Sequence, residues 1–353
     1  MTRTIRPSLL AWPVALITAT LATGCAADHA NGLTAATRMD GAAATAAPEA
    51  TTSAEPTDEA TPVPTTTALA ATPTAQANTV AGETGDGEAQ SVATVTPPPS
   101  DGVLDYQLGG AYVPASDVTI VERDRTSTPA AGLYNICYVN VFQTQPGDDP
   151  TEEGTTAWWQ QNYPDLLLRD DSGALVMDDA WNEALFDIRT RDKREQLFEI
   201  QSAWITGCAD AGFDAIEADN LDQDSRSQGL QKLNDAVQYM RLFIPYAHAE
   251  GLAVGQKNTA ELGATGPTLI SDDEGFDFAI AEECEVYEEC SAYQYPGHLL
   301  EIEYTDTPLI TRGDTTQSAF DWACEESSGE HPITLRDRDL VTPVDQGYAF
   351  DTC

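Results

Sequence analysis

The sequence predicts an α/β fold in its C-terminal part, an eight-stranded βα barrel of the TIM type. Residues 101–353 provide about 250 residues, the typical size of such a barrel. Short apolar runs bounded by turn residues alternate along this part with amphipathic stretches of helical spacing. An alternation of strands and helices indicates parallel strands. Polar side chains follow almost every apolar run, as expected where strand ends form the mouth of a barrel.

Eight apolar runs are predicted to be strands. They are Val118–Glu122, Tyr134–Val141, Leu166–Leu168, Leu185–Ile188, Phe213–Asp219, Leu252–Lys257, Phe276–Glu282 and Leu299–Tyr304. The clearest helix is predicted from Arg191 to Ala211 and should end at Gly212. A second helix is predicted from Ser227 to Glu250, with a kink or a break at Pro245.

The first residues have the pattern of an export signal. Arg3 and Arg6 precede an apolar run that is too short to span a bilayer comfortably. The run ends in "LATGC", which resembles a bacterial lipoprotein signal whose lipidated cysteine would be Cys25. The sequence therefore predicts a signal over residues 1–25 and an extracellular protein anchored in the membrane through lipid. Cleavage without lipidation, giving a freely secreted protein, is the alternative.

Residues 26–100 are predicted to be a disordered linker before the barrel. Ala or Thr occupies 24 of the positions from 41 to 80, and no aromatic residue occurs there. Such a segment cannot bury enough apolar surface to offset the entropy lost on folding. We therefore expect three parts, namely the signal at 1–25, the linker at 26–100 and the folded domain at 101–353.

Six cysteines follow Cys25, and an even number in an exported domain predicts disulfides rather than metal ligands. Cys284 and Cys290 are close enough in sequence to close one loop. Pairing Cys324 with Cys353 would fix the C-terminus and leave Cys137 with Cys208, but spacing alone leaves these two pairings open.

The formal net charge is −41, from 58 acidic and 17 basic residues. A charge of this sign argues against nucleic acid and anionic lipid surfaces as partners. It suits a cationic partner or high solubility, and we expect a monomer.

The segment "GFDAIEADNLD" places two carboxylates on one strand face. Successive side chains of a strand point to opposite faces, so Glu217 and Asp219 share the face of Ala215. Burying two like charges together is costly unless something binds there. Other polar groups follow the remaining strands and are candidates for substrate binding; they are Asp124, Asn140, Asp187, Lys257, Asn258, Glu303 and Tyr304.

Carboxylates, one lysine and aromatic residues make up this predicted site. The sequence contains no nucleophilic serine motif, zinc signature, phosphate loop or dinucleotide fingerprint, so we expect neither metal nor cofactor. Two acids flanking a bond, with aromatic residues for the sugar rings, suit glycoside hydrolysis. A retaining enzyme needs carboxyl groups about 5–5.5 Å apart and an inverting enzyme about 6.5–9.5 Å, and the sequence leaves both open.

Six segments taken in order resemble glycoside hydrolase family 114. They are "YNICYVNVFQTQP", "LFDIRT", "GFDAIEADNLD", "AHAEGLAVGQKN", "FDFAIAEECEVYEEC" and "LLEIEY". The resemblance implies a TIM-type barrel and an endo-α-1,4-polygalactosaminidase activity on a galactosamine-containing polysaccharide. By the same resemblance the catalytic acids are Asp219 and Glu282, and we expect Asp219 to be the nucleophile or base and Glu282 to be the general acid. Glu217 is a third candidate, either as the partner of Asp219 or as a group that positions the sugar.

Two other hypotheses stay open at this point. The barrel could be a surface carbohydrate-binding lipoprotein without turnover, although both Asp219 and Glu282 are present. It could also hydrolyse another amino sugar or a galactan, because a fold does not fix the substrate.

Overall fold

The computed structural model of this protein describes residues 95–353. The predicted signal, Cys25 and the linker up to residue 94 lie outside the described residues. The last six residues of the predicted linker lie against the barrel, where the Tyr134 hydroxyl donates to Thr96 O at 2.7 Å. Within this part of the chain every helix is too short or too polar to span a bilayer.

A nearly closed barrel of parallel strands forms the domain, which confirms the predicted fold class. In chain order the strands are β1 Leu104–Tyr106, β2 Ile120–Asp124, β3 Tyr134–Asn140, β4 Met177–Asp178, β5 Glu183–Ala184, β6 Ala215–Asp219, β7 Ala253–Lys257, β8 Phe278–Glu282, β9 Leu299–Tyr304, β10 Ile310–Arg312, β11 Thr315–Gln317, β12 Ile333–Arg336 and β13 Phe350–Thr352. The barrel order is β1, β2, β3, β6, β7, β8, β9 and β12, with β13 antiparallel to β12. Side-chain hydrogen bonds connect the first and last strands of this order, β1 and β12. Thr334 Oγ1 donates to Leu104 O at 2.9 Å, and Arg336 donates to Tyr106 O.

Six of the eight predicted strands are barrel strands, and two predictions were wrong. Leu166–Leu168 and Leu185–Ile188 lie in the excursion between β3 and the following long helix, outside the barrel. They contact each other there, with Leu168 N donating to Leu185 O at 2.8 Å. Their places in the barrel are taken by β1 and β12, which have only three and four residues and therefore show little periodicity.

Helices cover the outside of the barrel. They are α1 Thr156–Asn162, α2 Arg191–Ala211, α3 Leu233–Ala249 and α4 Ala319–Ser327, with shorter 3₁₀ turns at Pro164–Leu166, Gln223–Ser225, Ala260–Thr268 and Cys290–Ala292. The α2 prediction is confirmed, and the helix ends at Gly212 in the left-handed conformation with φ of 92°. Helix α3 begins six residues later than predicted and continues through Pro245.

Alternation along the strands divides side chains between the barrel interior and the outer layer. An apolar cluster fills the lower interior; it includes Leu104, Ile120, Ile136, Ala215, Ala253, Phe278, Ile280, Leu300 and Ile302. Gly255 belongs to this inward face, where a Cβ atom would come within 2.8 Å of the Phe278 ring. The inward-facing residues that follow these apolar residues along the strands are polar. The interior therefore changes from apolar to polar towards the C-terminal strand ends.

Residues 95–353 contain three disulfides, as the even number of cysteines after Cys25 predicts. Cys137–Cys208 joins β3 to α2, Cys284–Cys290 closes the loop after β8, and Cys324–Cys353 ties the C-terminal residue to α4. Disulfides of this kind are typical of proteins that fold in an oxidising compartment.

Candidate active site

A cavity of about 590 Å³ opens at the C-terminal ends of the barrel strands. Inward-facing side chains of seven strands form its floor, namely Tyr106, Asp124, Tyr138, Asp219, Lys257, Glu282 and Tyr304. The excursion between β3 and α2 supplies one wall with Trp181 and Glu183, and the loop after β12 supplies another with Arg338. This is the end of the barrel at which βα barrels carry their active sites.

Lys257 lies at the centre of the floor. Its Nζ is 2.9 Å from Glu217 Oε1, 3.4 Å from Asp219 Oδ1 and 3.9 Å from Glu282 Oε2. Burial by itself would lower the pKa of this amine, but the three carboxylates outweigh it and hold the pKa well above the usual value. Lys257 is therefore a fixed ammonium group between acids from β6 and β8.

Asp219 ends β6 and is held by donors on both oxygens. The Tyr138 hydroxyl donates to Oδ2 at 2.7 Å, and Lys257 approaches Oδ1. Asn220 Nδ2 also reaches Oδ2 at 3.3 Å and donates to Asn140 Oδ1 at 2.9 Å. The Asp219 side chain is 16% exposed, so it can be reached from the cavity.

Glu282 ends β8 and is oriented by two side chains. Asn258 Nδ2 donates to its Oε2 at 2.8 Å, while the Glu282 backbone N–H donates to Asn258 Oδ1 at 2.9 Å. The Tyr304 hydroxyl donates to Oε1, and the Arg338 guanidinium stacks 4.1 Å from the centre of the Tyr304 ring. Glu282 is 28% exposed and faces the cavity.

Glu217 shares the inward face with Asp219, as predicted, but lies one layer deeper in the barrel. Its side chain has no exposed surface. Tyr106 donates to Oε1 at 3.1 Å, and Lys257 Nζ also donates to Tyr106 Oη at 2.9 Å. Burial raises the pKa of Glu217, and Lys257 opposes this. Glu217 therefore contacts the side chains that form the floor and has no surface that faces the cavity.

The predicted substrate-binding residues fall into three groups. Asp124, Lys257, Asn258 and Tyr304 line the cavity. Asn140 is buried beside it and donates to Glu183 Oε2 at 2.9 Å. Asp187 and Glu303 lie elsewhere, each for a clear physical reason.

Asp187 is paired within the outer layer. Arg189 Nη2 and Lys193 Nζ lie 2.8 Å and 2.5 Å from its Oδ2. Burial disfavours ionisation, but these hydrogen bonds outweigh it and lower the pKa of Asp187 to about 2. Glu303 follows Ile302, which points into the barrel, so its own side chain points outward next to Glu301. Neither residue lines the cavity.

Several cavity residues escaped the sequence prediction. Tyr106 and Tyr138 occupy inward positions two residues along from apolar core positions, a signal that alternation could have revealed. Trp181 and Glu183 belong to the β4–β5 hairpin, whose strands of two residues leave no periodic signal. Trp181 is 52% exposed at the cavity wall. Burial raises the pKa of Glu183 to about 8, against the opposing hydrogen bond from Asn140.

One group of possible metal ligands occurs within residues 95–353, away from this cavity. Donor atoms of Cys284, Cys290, Glu301 and His331 lie within 4.8 Å of one another. Both sulfur atoms are bonded to each other, and His331 Nε2 lies 2.8 Å from Glu301 Oε2. The four groups are thus already engaged with one another.

Comparison with known proteins agrees with this architecture. The structure resembles that of Ega3 from Aspergillus fumigatus in complex with galactosamine, at 19% identity and a TM-score of 0.54, over 74% of this chain and 100% of that one. A variant of the glycoside hydrolase domain of PelA from Pseudomonas aeruginosa aligns at 13% identity and a TM-score of 0.48, over 69% of this chain and 97% of that one. No curated protein sequence gave a significant match. The model of glycoside-hydrolase family GH114 matches residues 85–353. The chain therefore belongs to glycoside-hydrolase family GH114.

Proposed function

We propose that the protein is an extracellular endo-acting glycoside hydrolase that cleaves α-1,4-linked, galactosamine-containing polysaccharide. The observation that carries the proposal is the placement of Asp219 and Glu282. These two carboxylates are accessible from the cavity and face a single ammonium group from adjoining sides. Glycosidases use such a pair of acids on the two sides of the scissile bond.

The hydrogen bonds suggest a role for each acid. Both acids receive donors on both oxygens, but Asp219 lies closer to the Lys257 ammonium, an environment suited to a carboxylate that attacks the anomeric carbon. Glu282 is more exposed and farther from Lys257, so it suits the group that protonates the leaving oxygen and later activates water. Asn258 and Tyr304 would hold its carboxyl plane towards the bond.

The distances also favour a retaining mechanism. Asp219 Oδ1 and Glu282 Oε2 both lie within 4 Å of Lys257 Nζ, at 3.4 Å and 3.9 Å. Because both oxygens lie near the same nitrogen atom, they can be no farther apart than these two distances combined, which is about 7.3 Å. The separation typical of retaining enzymes, about 5–5.5 Å, is below this maximum, whereas most of the range typical of inverting enzymes, about 6.5–9.5 Å, is above it. Asp219 would form the glycosyl ester, and Glu282 would then deprotonate the water that releases it.

Charge and shape support an amino-sugar polymer as the substrate. The net charge of −41 attracts a cationic, partly deacetylated polysaccharide. The exposed Trp181 ring at the cavity wall offers an apolar face against which a sugar ring can pack. Ega3, which shares the fold, was solved in complex with galactosamine.

Export and anchoring form a separate part of the proposal. The three disulfides agree with an oxidising compartment, and "LATGC" supports lipidation at Cys25. Cys25→Ser should release the protein from the membrane fraction or block its maturation. A wild-type protein found wholly in the medium with an unmodified N-terminus would contradict the anchor.

The activity is tested by incubating the purified domain with a panel of polysaccharides and measuring new reducing ends. The panel contains polygalactosamine, its N-acetylated form, chitosan and a galactan. We expect release from the galactosamine polymers above all, with oligosaccharide products. Activity on chitosan or galactan alone would correct the substrate. Tight binding of a polymer without any release would instead identify a carbohydrate-binding protein.

A further inference from the structure

Glu122 is a buried carboxyl beneath the active-site cavity that the proposed reaction does not use directly. It lies on β2 and shares the inward face with Ile120 and Asp124, but its side chain has no exposed surface. Neither of its carboxyl oxygens accepts a hydrogen bond from a donor within the described residues. A buried carboxylate without any donor would be very costly, so its chemical state requires an explanation.

One carboxyl oxygen of Glu217 also lacks a hydrogen-bond donor within the described residues. Tyr106 and Lys257 both donate to its Oε1. Its Oε2 is buried and receives no donor from the part of the chain that the structure describes. Both carboxyl groups are fully buried, and a hydrogen bond between them raises the pKa of Glu122 and lowers the pKa of Glu217. One proton on Glu122 would give Glu217 Oε2 its donor and leave the Glu122 carboxyl uncharged.

The charges around Glu122 support this arrangement. The titratable groups that act on its carboxyl are Glu217, Asp219 and Lys257, and Tyr106 lies in the same layer. Burial raises the pKa of Glu122 well above its usual range, and repulsion by Glu217 raises it further, while Lys257 opposes both effects. With Glu122 neutral, Lys257 faces three carboxylates rather than four.

We propose that Glu122 is a positioning residue, whose protonated carboxyl donates a hydrogen bond to Glu217 Oε2 and so fixes the carboxylate that holds Lys257 between Asp219 and Glu282. Glu122 takes this proton from solvent during folding and keeps it through turnover. The chain of contacts runs from Glu122 through Glu217 to Lys257, which contacts both proposed catalytic acids. Glu122 itself does not line the cavity.

Two variants separate the proposed role from its alternatives. Glu122→Gln replaces the donating hydroxyl with a donating amide, so we expect kcat within about threefold of wild type. Glu122→Leu removes the donor and replaces the carboxyl group with apolar methyl groups. Losing a hydrogen bond to a charged partner should lower kcat about tenfold or more, with KM changed less than about twofold. Equal loss of kcat in both variants would show that Glu122 acts as a carboxylate, and would overturn the proposal.

An infrared difference spectrum tests the protonation itself. This measurement needs no substrate, whereas the kinetic comparison rests on the proposed function. Wild type minus Glu122→Gln in deuterated buffer near neutral pH should show the carbonyl stretch of a protonated carboxylic acid. Glu250→Gln, which changes an exposed carboxylate at the opposite end of the barrel, should lack that band. Only carboxylate bands in the Glu122 difference spectrum would refute the inference, even if every polysaccharide in the panel proved resistant.

Discussion

The ammonium group of Lys257 lies 2.9 Å from Oε1 of Glu217, and the Glu217 side chain has no exposed surface. This buried ion pair lies directly beneath two carboxylates that the cavity exposes. The pair fixes a positive charge in the floor of an otherwise acidic cavity. Its energetic consequences differ from those of a surface salt bridge, because removing one partner leaves the other charged and buried.

Lys257→Met should therefore destabilise the domain strongly. Breaking a buried ion pair by removing one partner costs about 3–5 kcal/mol in the free energy of unfolding. The double variant Lys257→Met, Glu217→Gln removes both charges and should recover much of that loss, as measured by urea unfolding. Neither variant should recover turnover, because Asp219 and Glu282 have lost the cation between them. A single variant as stable as wild type would show that the pair contributes little to the fold.

Tyr304→Phe should lower turnover while leaving the fold intact. The Tyr304 hydroxyl donates to Glu282 Oε1, and the ring stacks under Arg338. Phe keeps the ring and removes only the donor, so we expect kcat to fall about tenfold or more and the melting temperature to change little. Tyr163→Phe, on an exposed ring outside the cavity, is the matched control. Unchanged kcat in Tyr304→Phe would separate this tyrosine from the orientation of Glu282.

Glu303→Gln should stabilise the domain more at pH 8 than at pH 5. Burial and then repulsion from Glu301 raise the pKa of Glu303 to about 9, so the folded protein keeps a proton that the unfolded chain releases above about pH 4.3. The stability that this proton gives is present at low pH and is lost as pH rises. Wild type should lose at most about 1.4 kcal/mol per pH unit through this group, and the variant should not.

Denaturant unfolding at several pH values measures this difference. Glu199→Gln, on the exposed side of α2, serves as the control and should follow wild type. A constant difference between wild type and Glu303→Gln from pH 5 to pH 8 would mean that Glu303 ionises normally in the fold.

Long apolar runs made much of the barrel predictable. Strands such as β6 and β8 each combine about five residues with turn signals on both sides. The two errors have a common cause. Leu166–Leu168 and Leu185–Ile188 are buried because they pack in the layer outside the barrel, and not because they are barrel strands. Leu168 and Leu185 form a small apolar cluster outside the barrel with Val176. The strands that close the barrel, β1 and β12, are too short to be distinguished from loops by periodicity.

The sequence predicted which face of a strand carries a side chain better than it predicted the depth of that side chain in the barrel. Alternation correctly placed Glu217 and Asp219 on one face, but it carries no information about the layer of the barrel in which each lies. Glu303 and Tyr304 are neighbours on one strand and cannot both point inward, so alternation alone should have removed one of them. Trp181 and Glu183 depend on the path of a hairpin that only tertiary structure defines.

The central claim is that Asp219 and Glu282 are the catalytic pair, and one measurement tests it most directly. Reducing-end release from polygalactosamine is compared for wild type, Asp219→Asn, Glu282→Gln and Glu217→Gln. Asp210→Asn and Glu250→Gln, exposed at the opposite end of the barrel, are the matched controls. We expect both catalytic variants to fold and to lose at least about 100-fold in rate, Glu217→Gln to lose less, and the controls to match wild type. An active Asp219→Asn with an inactive Glu217→Gln would move the assignment to Glu217, and full activity in both Asp219→Asn and Glu282→Gln would contradict the account.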